Sequence, residues 1–196
     1  MFTGIIETTG SIKDIFVTGS NKTFWIESSL SYELKVDQSV SHNGVCLTVE
    51  ETRTSLHRIT AIEETLFKTN LNNWKINDVV NIERCMQMNG RLDGHIVQGH
   101  VDTVATCIDV LTKDGSWEYT CVFDKKFGAL VIEKGSISLN GVSLTIFNVG
   151  EDRFTVAIIP YTYEHTNMKY LKIGDNINIE FDMIGKYVTR FIQLKS

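Results

Sequence analysis

The chain has little of what usually betrays a function. One proline in 196 residues leaves no room for a proline-rich docking segment, and no low-complexity tract is present. Nineteen Lys and Arg stand against 24 Asp and Glu, a net charge of -5. Without a basic field, neither nucleic acid nor an anionic membrane is an expected partner. No stretch approaches the roughly 18 apolar residues that would span a bilayer. The start, MFTGIIETTGSIKD, lacks the basic segment, apolar run and small-residue cleavage site of a secretory signal. Cytoplasmic residence is therefore the expectation. The four cysteines, Cys46, Cys85, Cys107 and Cys121, form no C-x2-C pair and read as free thiols, the last three as small apolar core residues. There is no G-x-G-x-x-G after a strand and no Walker loop, so a dinucleotide fold and an NTPase lack support. His95 and His100 with Asp102 make a poor metal site, because histidines five apart on an extended strand face opposite sides. No metal and no cofactor are expected.

What the chain does have is itself, twice. Asn43-Gly44-Val45-Cys46-Leu47-Thr48-Val49 returns as Asn140-Gly141-Val142-Ser143-Leu144-Thr145-Ile146, five identities in seven. At the same spacing, KINDVVNIE at 75–83 matches KIGDNINIE at 172–180, and Thr65-x3-Thr69-Asn70 matches Thr162-x3-Thr166-Asn167. Gly4-Ile5-Ile6-Glu7 lines up with Gly99-His100-Val101-Asp102. A period this long is too great for a solenoid and suits two folded domains, each able to bury a core.

Both halves read as β-rich. Short runs such as Phe24-Trp25-Ile26, Ser39-Val40-Ser41, Cys46 to Val49 and Val79 to Ile82 carry β-branched and aromatic residues between turn signals, the pattern of a sandwich or barrel. Asn43-Gly44 and Asn140-Gly141 are hairpin signals, since both residue types tolerate positive φ. A short linker is expected, best placed at Met88 to Gly94. Leu30 to Leu34 and Lys126 to Ile132 read as short helices or turns. At the C-terminus, Met183, Ile184, Tyr187, Val188, Phe191, Ile192 and Leu194 recur at three- and four-residue steps, an amphipathic helix with no counterpart in the first half. Its stripe covers either the chain's own barrel or an oligomer contact.

The chemistry is sought where the halves are compared. Asn43/Asn140, Gly44/Gly141, Thr48/Thr145 and Thr65/Thr162 agree, which suits shared fold or shared ligand recognition; turn formation and strand packing account for the Asn-Gly pairs. Cys46/Ser143, His100/Ile5 and Glu63/Ile159 differ, as if one pocket were reactive and the other mainly a binder. Hydroxyls at Thr48, Ser143 and Thr145 would suit a polar heterocycle or a polyol. A protease-like trio of Cys46, His100 and Asp102 can be nominated, but a chain of this length offers such a set by chance.

MFTGIIE, SHNGVCLTV, GRLDGHIVQGHVD, SLNGVSLTI and IPYTYEHTN before KIGDNINIE, in that order, resemble the riboflavin synthase alpha-chain family from Met1 to about Ile192. The resemblance implies an all-β chain: two tandem six-stranded Greek-key β-barrels at 1–90 and 91–182, then a helix at 183–196 that assembles a homotrimer. It implies a transferase that dismutes two molecules of 6,7-dimethyl-8-ribityllumazine into riboflavin and 5-amino-6-(ribitylamino)uracil. One site would form where the first barrel of one subunit meets the second barrel of its neighbour. Association with lumazine synthase is a further possible partnership.

Carried over residue by residue, the first-barrel ligand would meet Gly4, Ile5, Ile6, Cys46, Leu47, Thr48, the Thr60-Ala61-Ile62-Glu63-Glu64-Thr65 segment, and Gly99, His100 and Val101. The second-barrel ligand would meet Ser143, Leu144, Thr145 and the Ile159-Pro160-Tyr161-Thr162-Tyr163-Glu164 segment, with Lys134 close by. The rings of Tyr161 and Tyr163 would reshape that second pocket. His100 is expected to transfer a proton, because histidine titrates nearest neutral pH. Cys46 or Ser41 would hydrogen-bond or add transiently to the acceptor, and base and nucleophile are left unassigned. The rival reading is a non-catalytic lumazine or flavin carrier of the kind that serves as an optical antenna in luminous bacteria.

Overall fold

The computed structural model describes residues 1–195; Ser196, the end of the expected C-terminal segment, lies outside them. The first half forms β1 (Thr8–Thr18), β2 (Asn21–Ser28), β3 (Ser39–His42), β4 (Val45–Arg53), β5 (Leu56–Ala61) and β6 (Val79–Arg84). The second repeats them as β7 (Thr103–Lys113), β8 (Ser116–Val122), β9 (Ser136–Leu139), β10 (Val142–Phe147), β11 (Arg153–Ile158) and β12 (Asn176–Phe181). Each set closes into an antiparallel barrel, in the order β1-β2-β5-β4-β3-β6 and its counterpart β7-β8-β11-β10-β9-β12. Closure leaves no unpaired edge. One irregularity repeats, a bulge at Ile12/Asp14 in β1 and at Cys107/Asp109 in β7, while the bulge at Val49/Glu51 in β4 has no counterpart in the β10–β11 pairing.

Alternation along the strands fills each interior. Ile12, Phe24, Ile26, Val40, Val49 and Ile59 are fully buried in the first barrel, and Cys107, Cys121, Ile137, Phe154, Val156 and Ile179 in the second. All four cysteines are free, but Cys85 is exposed rather than a core residue, because it lies just beyond the last paired residue of β6. Two short helices that periodicity could not reveal, α1 (Glu63–Lys68) and α2 (Pro160–His165), follow β5 and β11. Six residues give fewer than two turns, too few to show a repeat. The Leu30–Leu34 region is a turn, and its counterpart is a single 3-10 segment at Lys125–Leu130. After β12 comes α3 (Met183–Gln193), capped by the Asp182 carboxylate, which accepts from the Ile184 amide at 3.0 Å. Ile184, Tyr187, Val188 and Phe191 on α3, and Leu194 just after it, are all more than half exposed, so the stripe is not buried on the chain's own barrel.

The hairpins at the two Asn-Gly pairs do more than turn. Asn43 and Asn140 take φ of 48° and 44°, and Gly44 and Gly141 take 79° and 83°, as the tight turn requires. The two glycines also touch each other: a Cβ on Gly44 would stand 2.7 Å from the Gly141 nitrogen. Around this contact six buried asparagines bind across the barrels. The Asn81 carboxamide donates to the Asn140 carbonyl (3.0 Å) and to Asn167 Oδ1 (2.9 Å), and its own Oδ1 accepts from the Asn167 amide (2.7 Å). The counterpart Asn178 donates to the Asn43 carbonyl (2.9 Å) and accepts from the Asn70 amide (2.7 Å). Each bond nets only about 1 kcal/mol, but a buried carboxamide deprived of partners costs about 1–3 kcal/mol, so the set fixes one relative placement of the barrels. The symmetry has one flaw, an unpartnered Asn70 Oδ1.

Candidate functional site

The connection between barrels runs from residue 85 to 102, longer than the short linker expected, because much of it is working structure. Phe2, fully buried, pairs antiparallel with Val97, each amide donating to the other's carbonyl, at 2.7 and 3.1 Å. Two matched carboxylates hold the segments on either side. Glu83 on β6 accepts from the Thr3 amide and hydroxyl at 2.7 Å each and from the Gly4 amide at 3.0 Å. Glu180 on β12 accepts from the amides of Gln98, Gly99 and His100 at 2.6, 2.8 and 2.9 Å. Both carboxyl groups have raised pKa values, because the loss of water outweighs the donors that surround them.

Each segment then crosses to the other barrel. The Gly4 carbonyl accepts from the Ser143 amide at 2.8 Å, and the Gly99 carbonyl from the Cys46 amide at 2.9 Å. Both glycines are left-handed, at φ 75° and 81°, and a Cβ on either would stand 2.6 Å from the Cβ of Ser143 or Cys46. Ile6 packs on the core of the second barrel and Val101 on that of the first. This corrects the expected grouping: Gly4, Ile5 and Ile6 lie beside the second barrel, not the first, because the N-terminal segment is exchanged at the seam.

At the second barrel Lys134, Ser143, Leu144, Thr145, Ile159 and Thr162 line a cavity of about 380 Å³ together with Phe147 and Ala157, which the sequence had not suggested. Ser143 Oγ lies 2.6 Å from Nδ1 of the buried His95. Burial pushes the His95 pKa down, with Asp182 opposing, so the ring bonds the hydroxyl in its neutral form. The motif holding His95 was visible in the sequence, but its contact spans 48 residues of chain. Tyr163 stacks on Trp117 with centroids 3.7 Å apart, and Tyr161 on His165 at 4.1 Å. Of the Ile159–Glu164 segment, Ile159 and Thr162 line the cavity, while both tyrosine rings are engaged by these stacking partners beside it. Pro160 opens α2, where a missing N–H costs nothing.

At the first barrel Cys46 and Thr48 point outward along β4, while Leu47, between them, is buried in the core with Ala61. Burial pushes the Cys46 thiol pKa up, partly offset by the Ser39 hydroxyl, so the sulfur is a neutral thiol near pH 7. Ser41, 1% exposed, stands opposite Cys46 on one side and Glu83 on the other. Thr60 Oγ1 lies 2.9 Å from Thr23 Oγ1 and donates to Glu50 at 2.9 Å. Glu63, Glu64 and Thr65 sit on α1, where Glu64 pairs with Lys68 at 2.8 Å. Ile62 and Ile159 both precede their helices with extended backbone, so Glu63 matches Pro160 and not Ile159. His100 is exposed, with only its backbone held by Glu180. Asp102 accepts from the Phe181 amide at 2.9 Å and pairs with Lys186 at 2.5 Å, so it does not orient His100 as a protease-like trio would need.

The Lumazine binding domain model matches this chain twice, at residues 3–85 and 98–182. Riboflavin synthase of Actinobacillus pleuropneumoniae is 37% identical over all of this chain and 91% of its own length. That of Bacillus subtilis is 39% identical over 98% of this chain and 90% of its own, and that of Escherichia coli 35% over 93% and 87%. Among solved structures, LumP complexed with riboflavin superposes with a TM-score of 0.87 at 21% identity, covering 93% of this chain and 100% of that one. At that identity the likeness speaks for the fold.

Proposed function

This chain belongs to the riboflavin synthase family, and from that premise we propose that it converts two molecules of 6,7-dimethyl-8-ribityllumazine into riboflavin and 5-amino-6-(ribitylamino)uracil. A four-carbon unit passes from one ring to the other, and the atoms balance with no oxidant, reductant or metal. One observation carries the reading. The cavity lined by Lys134, Ser143, Thr145, Ile159 and Thr162 has in-register counterparts at Asp37, Cys46, Thr48, Ile62 and Thr65, so the positions that line it recur in the first barrel with different chemistry.

The 7-methyl group of a lumazine is acidic, because its anion delocalises into the ring. The protein's task is then to align two rings and move a proton, and alignment alone can supply roughly 7–11 kcal/mol. In this reading Cys46, Thr48, Thr65 and the Gly99-His100-Val101 segment bind one lumazine, while Gly4-Ile5-Ile6, Lys134, Ser143, Leu144, Thr145, Ile159 and Thr162 bind the other. His100, free to reach outward, exchanges the proton. Cys46, a neutral thiol, hydrogen-bonds to the ring bound beside it, with Ser41 beneath it as a positioning group. The apolar stripe of α3 packs against other copies in a homotrimer, and each reacting pair of pockets meets across a subunit boundary.

The test is to mix the purified protein with 6,7-dimethyl-8-ribityllumazine and follow the absorbance. Appearance of riboflavin with two lumazines consumed per riboflavin is expected. A shifted but unconverted lumazine spectrum would instead identify a carrier and overturn the reading.

A further inference from the structure

The second-barrel cavity and the equivalent surface of the first barrel differ in the sign of their charge. Lys134 is the one charged side chain among the cavity's lining residues, all of which lie within the described chain. Its ammonium group sits 5.4 Å from the centroid of Phe147, another lining residue, so the charge is backed by an apolar ring. The backbone around it is reproduced in the first barrel at Asp37. Lys134 has φ 64° and Asp37 φ 69°. The Lys134 amide donates to the Ile146 carbonyl and the Asp37 amide to the Val49 carbonyl, each at 2.9 Å. The next residues also match: Ile146 donates to the Gly135 carbonyl at 3.0 Å, and Val49 to the Gln38 carbonyl at 2.9 Å.

The reversal extends to the neighbours. By sequence spacing Phe147 corresponds to Glu50, and Ala157 to Thr60, whose hydroxyl donates to that same Glu50 carboxylate at 2.9 Å; β4 bulges between Val49 and Glu51, so two carboxylates, Glu50 and Glu51, stand in the place of the one phenylalanine. Arg58 also binds Glu50 at 3.2 Å, and its other arm binds Glu51 at 2.8 Å, so the guanidinium is already shared between two carboxylates. The first barrel therefore presents Asp37 and Glu50 where the second presents Lys134 and Phe147.

A ring that has given up a proton carries a delocalised negative charge, and the exposed Lys134 ammonium at the cavity, backed by the Phe147 ring, stabilises it by direct charge pairing. A carboxylate at the same place repels it. We propose that the second-barrel pocket selects the deprotonated lumazine ring through Lys134, and that the first-barrel surface, carrying Asp37 and Glu50, takes the neutral ring. This deepens the proposed reaction, and rests on it, by assigning the carbanion partner to the second barrel and the electrophilic partner to the first.

The experiment measures equilibrium binding to the full chain of two non-reacting probes, neutral riboflavin and an 8-ribityl-7-oxolumazine in its anionic form, which lacks the reacting 7-methyl group. Lys134→Gln should weaken the anion at one class of site by about tenfold while changing riboflavin affinity less than twofold, and Lys134→Arg should restore the anion. Asp37→Lys, at a backbone position whose counterpart already accommodates lysine, should create a second anion-preferring site. Equal weakening of both probes by Lys134→Gln, or no gain of anion affinity in Asp37→Lys, would overturn the assignment. Wild-type turnover of lumazine on the same preparation keeps the two claims apart. If riboflavin forms while the probes show no charge preference, the assignment alone fails; if none forms, the proposed reaction fails.

Discussion

In the first barrel, His42 and His57 meet inside the wall with their Nε2 atoms 2.8 Å apart, and His57 reaches on to the Ser31 hydroxyl at 2.8 Å. The corresponding places in the second barrel hold Leu139 and Phe154, both fully buried in a purely apolar setting. Ile12 and Ile26, opposite each other on β1 and β2, likewise become Cys107 and Cys121 on β7 and β8. Yet the asparagines at the seam and the carboxylates Glu83 and Glu180 are the same on both sides. Interiors and ligand-facing surfaces have diverged, while the parts that join the barrels have stayed matched. A barrel interior can change if its volume is filled, whereas a two-sided junction must change on both sides at once.

That contrast predicts symmetric effects at the seam and asymmetric ones elsewhere. The largest should come from Gly44→Val and Gly141→Val, each driving a side chain into the opposing glycine at a left-handed position. Both should cost about 3 kcal/mol or more, equally, in chemical denaturation. A large inequality would break the matched-junction picture.

The next effect comes mainly from a histidine pair of the first barrel, with His95, also lowered by burial, acting in the same direction. Burial lowers the pKa of His42 well below its usual value, and that of His57 to about 4. The unfolded chain then binds protons below about pH 6.5 that the folded chain refuses, so stability is complete above that range and falls as the pH drops toward 4. His57 alone should cost about 2 kcal/mol between pH 7 and pH 5. The pair His42→Leu with His57→Phe, which copies the second barrel, should remove most of the slope and leave the part due to His95; an unchanged acid loss would assign it elsewhere.

How much of this was legible in the sequence follows the same division. Strand runs, Asn-Gly turns and the amphipathic helix rest on local patterns, and the barrels and α3 fall where those patterns place them. The exchange of Gly4 and Gly99 between barrels was invisible, because no local pattern records which partner a segment crosses to. The six asparagines could be seen as repeats, but a turn explained two of them well enough to hide the junction. Glu83 and Glu180 end two matched motifs, and a glutamate closing a buried strand was the available clue to a buried acceptor.

Smaller effects sharpen the comparison further. Glu83→Gln and Glu180→Gln should each destabilise by about 1 kcal/mol, since an amide keeps one acceptor oxygen for donors now shared by two. Matched losses in thermal unfolding are expected, and a loss at one end only would contradict the equivalence. Smallest of all, Cys46→Ser gives the first pocket the residue of the second. With the thiol already neutral, it should lower turnover less than about fivefold and leave riboflavin affinity within about twofold. A total loss in steady-state assays would mean that sulfur acts as a nucleophile.

The claim that two unlike pockets from different copies form one reaction site is tested most directly by complementation. Thr48→Trp and Thr145→Trp replace exposed residues on equivalent strands and should each block one pocket, giving chains with little turnover of their own. Co-assembled from a mixed refolding, the two variants should regain a substantial fraction of lumazine turnover, because some interfaces would then unite an intact first pocket with an intact second one. Turnover no higher than the sum of the two separate variants would contradict the account.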